Sequence, residues 1–217
     1  MSGFCAEVWN ETAGVRAAID DLPFVRGLAD GSLSRDRFDY YMAQDALYLR
    51  GYARALASAA ARADRSEEIA FFAKSAHDAI AVESSMHEGF VGDVADLRPS
   101  PTCTAYVSYL LGLAQTQGYG ELAAGVLPCF WVYTDVGARL MEKAGDLAEH
   151  PYGEWISTYA DEEFAASTRR LCAITDGIAE RSDAATVARM REAFATATTY
   201  EFHFWEAAWE KEGWAAF

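Results

Sequence analysis

Basic residues are scarce in this chain. Across 217 residues, 18 Lys and Arg face 33 Asp and Glu, a formal charge of −15 with the histidines neutral. Nucleic-acid binding rests on neutralising phosphates with Lys and Arg, so this balance opposes it. An anionic membrane surface is disfavoured for the same reason. Long apolar runs are also missing: no segment offers the ~18 uncharged apolar residues of a membrane span. The first residues, Met1-Ser2-Gly3-Phe4-Cys5-Ala6-Glu7, have no basic region and no long apolar run after them, so a standard signal peptide is not expected. Cysteine is sparse. Cys5, Cys103, Cys129 and Cys172 are far apart with no CxxC pair, which argues against a structural zinc or a disulfide framework. A reducing cytoplasm is the simplest compartment, and each thiol there needs its own explanation.

Proline is rare as well, at positions 23, 99, 101, 128 and 151, and four of the five sit where helices could start or end. Apolar residues make up 52% of the chain, enough for a globular core. Between the prolines lie Ala-, Leu-, Arg- and Glu-rich stretches of good helix propensity. The turn Asp30-Gly31-Ser32-Leu33-Ser34 precedes a helix that Ser34 can cap, running to about Ala63. Ser66-Glu67-Glu68 starts another, with acids in its first turn, reaching about Gly92. Pro99-Ser100-Pro101-Thr102 opens a third, which stops near Gly118-Tyr119-Gly120. A fourth runs from Glu121 to about Lys143, interrupted by Pro128. Pro151 suits the first turn of a fifth that continues past Phe164 towards Asp176-Gly177. Ser182-Asp183 caps the last, which extends to about Glu212. No hairpin dipeptide and no internal repeat interrupts this pattern. The expectation is one all-α domain over residues 1–217, a bundle of long helices.

Helical periodicity places polar groups among the apolar ones. One stripe reads Phe38, Tyr41, Asp45, Tyr48, Tyr52, Leu56; the next reads Phe72, Ala76, Ala79, Glu83, His87, Phe90. A third, Leu122, Val126, Cys129, Tyr133, Val136, Leu140, turns a thiol inward, and the last helix puts Glu201 between Ala197 and Phe204. Taken singly, each has a plain structural reading. An inward Cys is usually a small core hydrophobe, Glu83 with His87 forms an i,i+4 pair, and one acid on a stripe can serve a helix end. Together, several acids interrupting an aromatic core point to an internal pocket that perturbs carboxyl pKa values. Pro128 lacks an N–H and clashes one turn back, so a kink or break is expected immediately before Cys129. The aromatic surface around these groups suits a flat heteroaromatic ligand.

An ordered set of strings then resembles a known family. The strings are Pro23-Phe24-Val25-Arg26-Gly27-Leu28, Asp30-Gly31-Ser32-Leu33 and Phe38-x-x-Tyr41-x-x-Gln44-Asp45-x-x-Tyr48-Leu49. They continue with Ser100-Pro101-Thr102 and Tyr106, Leu127-Pro128-Cys129-Phe130-Trp131-x-Tyr133 and Trp155-Ile156-x-x-Tyr159-Ala160-x-Glu162-Glu163-Phe164. The last are Tyr200-Glu201-x-x-Phe204-Trp205 and Lys211-Glu212-Gly213-Trp214. From about Leu22 to Trp214 the chain resembles the TenA family, thiaminase II or aminopyrimidine aminohydrolases, on the haem-oxygenase-like helical fold. Leu22, where the family often has His, and Ala46-Leu47 depart from its pattern.

The resemblance implies roles at the matching positions. Cys129 matches the nucleophile and Glu201 the catalytic acid. Asp45 matches the carboxylate that binds the aminopyrimidine, and Tyr48, Tyr106, Tyr133, Tyr159 and Phe204 match pocket residues. It further implies a hydrolase of 5-substituted 4-amino-2-methylpyrimidines in thiamin salvage, with 4-amino-5-hydroxymethyl-2-methylpyrimidine as product. No metal or other cofactor is implied, and the assembly expected is a homotetramer. Two other classes stay open. Glu83-x-x-x-His87 invites a metal-dependent oxidase or oxygenase on the same fold, although no second acid–His pair at ligand spacing accompanies it. A non-catalytic pyrimidine-binding regulator is the other, opposed as a DNA-binding protein by the acidic charge and the lack of a helix-turn-helix signal.

Overall fold

The computed structural model describes residues 3–89 and 98–215, with the side chains of residues 82–89 outside the described set. Ten helices and no strand occur among the described residues. Three short ones open the chain: α1 (Phe4–Glu11), α2 (Ala13–Asp21) and α3 (Pro23–Asp30). The longer α4 (Arg35–Ala60), α5 (Ser66–Gly89), α6 (Pro101–Thr116) and α7 (Tyr119–Lys143) follow. Then come α8 (Gly153–Tyr159), α9 (Glu162–Glu180) and α10 (Ala184–Glu210).

Local chemistry explains most of the boundaries. Pro23 stands in the first turn of α3 after an extended Leu22, where its missing N–H costs nothing. The Ser100 hydroxyl accepts the Cys103 N–H at 3.1 Å and starts α6. The Asp183 carboxylate accepts the Thr186 N–H at 2.7 Å and starts α10. Caps of this kind contribute about 1 kcal/mol each. Ser34 takes the cap position of α4 with extended backbone, but its side chain makes no capping bond.

Two expectations need correction. The fifth helix is two: Tyr159 ends α8, and Asp161 turns extended and accepts the Glu163 and Phe164 amides at 2.7 and 3.2 Å to begin α9. The cue, an Asp ahead of two glutamates, is itself an N-terminal signature. Pro128 does not break α7, which continues from Tyr119 to Lys143. The described residues ahead of the Asp30–Ser34 turn, for which the sequence reading gives no helix, form α1 to α3, with α1 against α9 and α10, and α2 and α3 against α10. The proposed end of α5 near Gly92, and Phe90, lie outside the described residues, as do the side chains of Glu83 and His87.

The centre of the molecule is α7 against α10, with α9 also packed on α7, and α4 packed on α5 and α6. Trp205, Tyr41, Tyr106 and Phe194 are fully buried there, each worth roughly 2–3 kcal/mol of apolar burial. Two glycines set the helix spacing that shapes the site. A Cβ on Gly51 would stand 2.4 Å from Val107, so α4 and α6 close up and bring Tyr48 beside Tyr106. A Cβ on Gly137 would stand 2.6 Å from the Tyr159 carbonyl, so α7 accepts the end of α8 and Tyr159 lies against Tyr133. Among the described residues, no helix is long and apolar enough to cross a membrane.

Candidate active site

Helices α4, α5, α7, α8 and α9 meet around a chamber of about 160 Å³. A void of ~150 Å³ is enough to take up a benzene ring, so this one fits a single six-membered heterocycle. Of the eight residues expected at the site, Asp45, Cys129, Tyr133 and Tyr159 line the chamber directly. Cys129 is half-buried because its residual surface borders this space. Glu201, Tyr48, Tyr106 and Phe204 are buried and belong to the next layer. They are linked to one another: the Tyr106 hydroxyl donates to Glu201 Oε1 at 2.6 Å, and the Tyr48 ring lies 4.9 Å from Tyr106 and 5.5 Å from Phe204.

Four buried carboxylates separate into two kinds. Glu68 and Glu121 each meet a guanidinium, from Arg181 at 3.1 Å and Arg189 at 2.6 Å. Asp45 and Glu201 meet no cation among the described residues, although they are only 3% and 2% exposed. Burial alone pushes the Asp45 carboxyl up to about 7, and its Oδ2 has no hydrogen-bond partner among the described residues. Burial pushes Glu201 up to about 8; the Tyr106 hydroxyl pulls the other way, and the Asp45 charge adds to the rise. Both are therefore proton carriers near neutral pH rather than permanent anions.

The Cys129 thiol is pushed well above its ordinary value, first by burial and then by the Glu201 charge, while Tyr48 and Tyr52 favour the thiolate. The Tyr52 proton is already committed to the Val126 carbonyl at 2.7 Å. The buried Tyr48 hydroxyl has no committed partner among the described residues, which leaves it as the free donor in the thiol's surroundings. At rest the thiol is neutral.

The rest of the wall escaped the sequence reading of the site. Tyr52, Phe130 and Phe164 contribute aromatic surface, with Phe130 and Phe164 stacked at 5.8 Å and 13°. Tyr52 lies on the same stripe as Asp45 and Tyr48, and Phe130 and Phe164 lie inside the strings that carry the family resemblance, so a signal was present for all three. Ser75, Asp78, Thr158 and Ser167 also line the chamber, and nothing in their local sequence marks them. No group of three or more His, Cys, Asp or Glu that could hold a metal ion occurs among the described residues.

The geometry can be set beside known proteins. The family model described as TENA/THI-4/PQQC matches residues 18–211. The chain belongs to the TENA/THI-4/PQQC family. It is 32% identical over 219 residues to the aminopyrimidine aminohydrolase of Halalkalibacterium halodurans, covering 97% of each chain. It is 35% identical to the thiamine biosynthesis multifunctional protein ThiED of Corynebacterium glutamicum, over 97% of this chain and 27% of that protein. The chain thus spans about a quarter of the length of such multifunctional relatives. Among solved structures it resembles a TenA homologue from P. horikoshii OT3 with a TM-score of 0.85 and 27% identity, covering 96% of this chain and 99% of that one. A domain from Shewanella denitrificans with a haem oxygenase-like fold superposes with a TM-score of 0.77 at 15% identity, over 95% of this chain and 92% of that one. The all-α architecture is therefore the haem-oxygenase-like fold of the TenA proteins.

Proposed function

We propose that this protein hydrolyses 5-substituted 4-amino-2-methylpyrimidines to the 5-hydroxymethyl product, with Cys129 as nucleophile, Glu201 as acid and Asp45 as the group that reads the ring. The observation that carries the reading is the placement of an unpartnered, protonatable carboxyl and a thiol on one ring-sized aromatic chamber. The names of the full-length relatives support it. In the proposed reaction the Cys129 sulfur adds to the ring carbon next to the substituted one. Glu201 gives its proton to the ring nitrogen as it receives that of the thiol. The electron pair released from the ring then expels the 5-substituent, which leaves with a proton as ammonia from an aminomethyl group. Water adds to the exposed methylene, the ring nitrogen returns its proton, and cleavage of the C–S bond restores aromaticity. The sum is a hydrolysis with no redox change. Turnover of a panel of 5-substituted 4-aminopyrimidines, with products identified by mass spectrometry, tests this reading, and turnover of none overturns it.

The surroundings fit those steps. Tyr133, Tyr159, Phe130 and Phe164 position a flat ring and exclude water. Tyr106 holds Glu201 in place through the 2.6 Å bond, and Tyr48 supplies a donor to the developing thiolate. Phe204 packs against Tyr48 and Tyr41 behind them. The fold as one domain, a homotetrameric assembly and a cytoplasmic setting complete the proposal; light scattering of the purified protein checks the tetramer.

Asp45 gives a prediction of its own. A protonated carboxyl donates to a ring nitrogen and accepts from the 4-amino group, whereas a carboxylate can only accept. Affinity for the hydroxymethyl product should therefore fall as pH rises through about 7, the value to which burial raises this group. Asp45→Asn keeps one donor and one acceptor without a titratable proton, so its affinity should stay flat over the same interval. Calorimetric titrations across that range check both, and a flat wild-type profile would show that Asp45 plays another part.

A further inference from the structure

Of the four thiols in the chain, the chemistry proposed above uses Cys129, and two of the others meet although they stand 167 residues apart. Cys5 lies in the first turn of α1 and Cys172 in the middle of α9. The residue capping α1 is Gly3, which has no side chain to satisfy the first amides of the helix. Helix α9 supplies the cap instead: the Asp176 carboxylate accepts the Cys5 N–H at 2.7 Å. Glycine permits this approach, because a Cβ on Gly3 would stand 2.8 Å from Asp176 Oδ2. Cys172 lies one turn before Asp176 on the same face of α9. The cap therefore sets the two cysteines against each other. The Cys5 thiol donates to the Cys172 carbonyl at 3.4 Å and also meets the Cys172 thiol.

The two are not equally accessible. Cys5 is only 3% exposed, whereas Cys172 is half-buried. Contact with the Cys172 thiol, and then burial, push the Cys5 thiol far above its ordinary value, so in the reduced protein it stays protonated. A soluble oxidant meets Cys172 first. We propose that Cys172 and Cys5 are a redox-modification site, at which a hydroperoxide oxidises Cys172 and Cys5 resolves it as a reversible disulfide between α9 and α1. In the first step the Cys172 sulfur takes one peroxide oxygen, the O–O bond breaks and water leaves, giving a sulfenic acid. The Cys5 sulfur then attacks the Cys172 sulfur. The S–S bond forms as the S–O bond breaks, and the departing hydroxyl leaves as water with the Cys5 proton. The two thiols lose two electrons and two protons, and the peroxide takes up both. A small dithiol reverses the bond by exchange. Disulfides of a reducing compartment are usually transient and redox-sensing in this way. The bond pins the start of the chain to α9, the helix that carries Phe164 and Ser167 of the chamber wall.

The test treats the purified full chain with hydrogen peroxide, then unfolds, alkylates and digests it without reductant for peptide mapping by mass spectrometry. The map should show Cys5 and Cys172 joined in one cross-linked peptide, and dithiothreitol should return both as free thiols. The melting temperature of the cross-linked protein should exceed that of the same sample after reduction by roughly 5–10 °C, as expected for a bond that closes most of the chain into a loop. The variants separate the two sulfurs. Cys5→Ser should leave Cys172 as a sulfenic acid that dimedone traps, and Cys172→Ser should leave Cys5 unoxidised behind its burial. The wild-type map needs no variant, so it decides the question even where a serine at either position prevents folding. A map without the Cys5–Cys172 peptide, or one that joins either cysteine to another partner, including a second copy of Cys172, overturns the proposal. The hydrolase reading is independent of either result.

Discussion

A Cys129→Ala variant should fold, bind the pyrimidine and lose turnover by about 10³-fold or more, because no second thiol lines the chamber among the described residues. The fold should barely notice. Cys129 is half-buried beside an existing void, so removing one sulfur opens little new cavity and should cost no more than about 1 kcal/mol. The other three thiols make the control. Cys5 and Cys103 are buried, their sulfurs directed at the Cys172 and Gln44 carbonyls at 3.4 and 3.6 Å, and Cys172 is half-buried on α9. Their Ala variants should lose stability and keep the chemistry. Rates with a pyrimidine substrate, set beside thermal melts of all four variants, separate these roles. Full turnover by a folded Cys129→Ala would reduce Cys129 to a core residue.

The same cysteine carries a second, kinetic signature. Burial keeps its thiol neutral, so a soluble alkylating agent should react slowly with the free protein at neutral pH. This departs from the habit of low-pKa nucleophiles beside a cationic histidine. In the proposed reaction the activating groups are neutral hydroxyls and a protonated carboxyl, and ionisation would be coupled to the arrival of a ring that can take the proton.

The stripes were legible because helical period alone fixes them. Asp45 among Tyr41, Tyr48 and Tyr52, and Glu201 between Ala197 and Phe204, are buried as the spacing requires. What period does not contain is the identity of the partner that a buried acid meets. Glu68 and Glu121 read as ordinary first-turn acids, yet both are buried against arginines from α9's C-terminal cap and α10, 113 and 68 residues away. The layering of the site was hidden for the same reason. Whether Tyr106 or Phe130 borders the chamber depends on how α6 and α7 cross, which no local string records. Pro128 shows the reverse error. Its local chemistry argues for a kink or break, yet α7 runs unbroken through it while packed against α10 and α9. The division between α8 and α9 was legible in Asp161-Glu162-Glu163 and was overridden by the good helix propensity around it.

Glu201→Gln should separate chemistry from stability in opposite directions. The amide keeps the volume and can still accept the Tyr106 hydroxyl, so the pyrimidine should bind. The transferable proton is gone, and turnover should fall about 10²–10⁴-fold, the usual contribution of a positioned acid. In the wild type the pH–rate profile should decline above about 8 as this acid deprotonates. Stability follows from the same proton. The folded value is raised above the unfolded one, so the bound proton's stabilisation is complete below about 4.5 and is lost as pH climbs through about 8. The full loss is on the order of 5 kcal/mol, since each pKa unit is worth about 1.4 kcal/mol. The neutral amide of the variant has no such proton to lose. Melting curves at about pH 5 should show the two proteins close together, and at about pH 9 the variant should melt later. A variant that is both inactive and less stable at alkaline pH would mean that Glu201 is ionised in the fold, held by its surroundings as an anion, and that the proton for the ring comes from elsewhere.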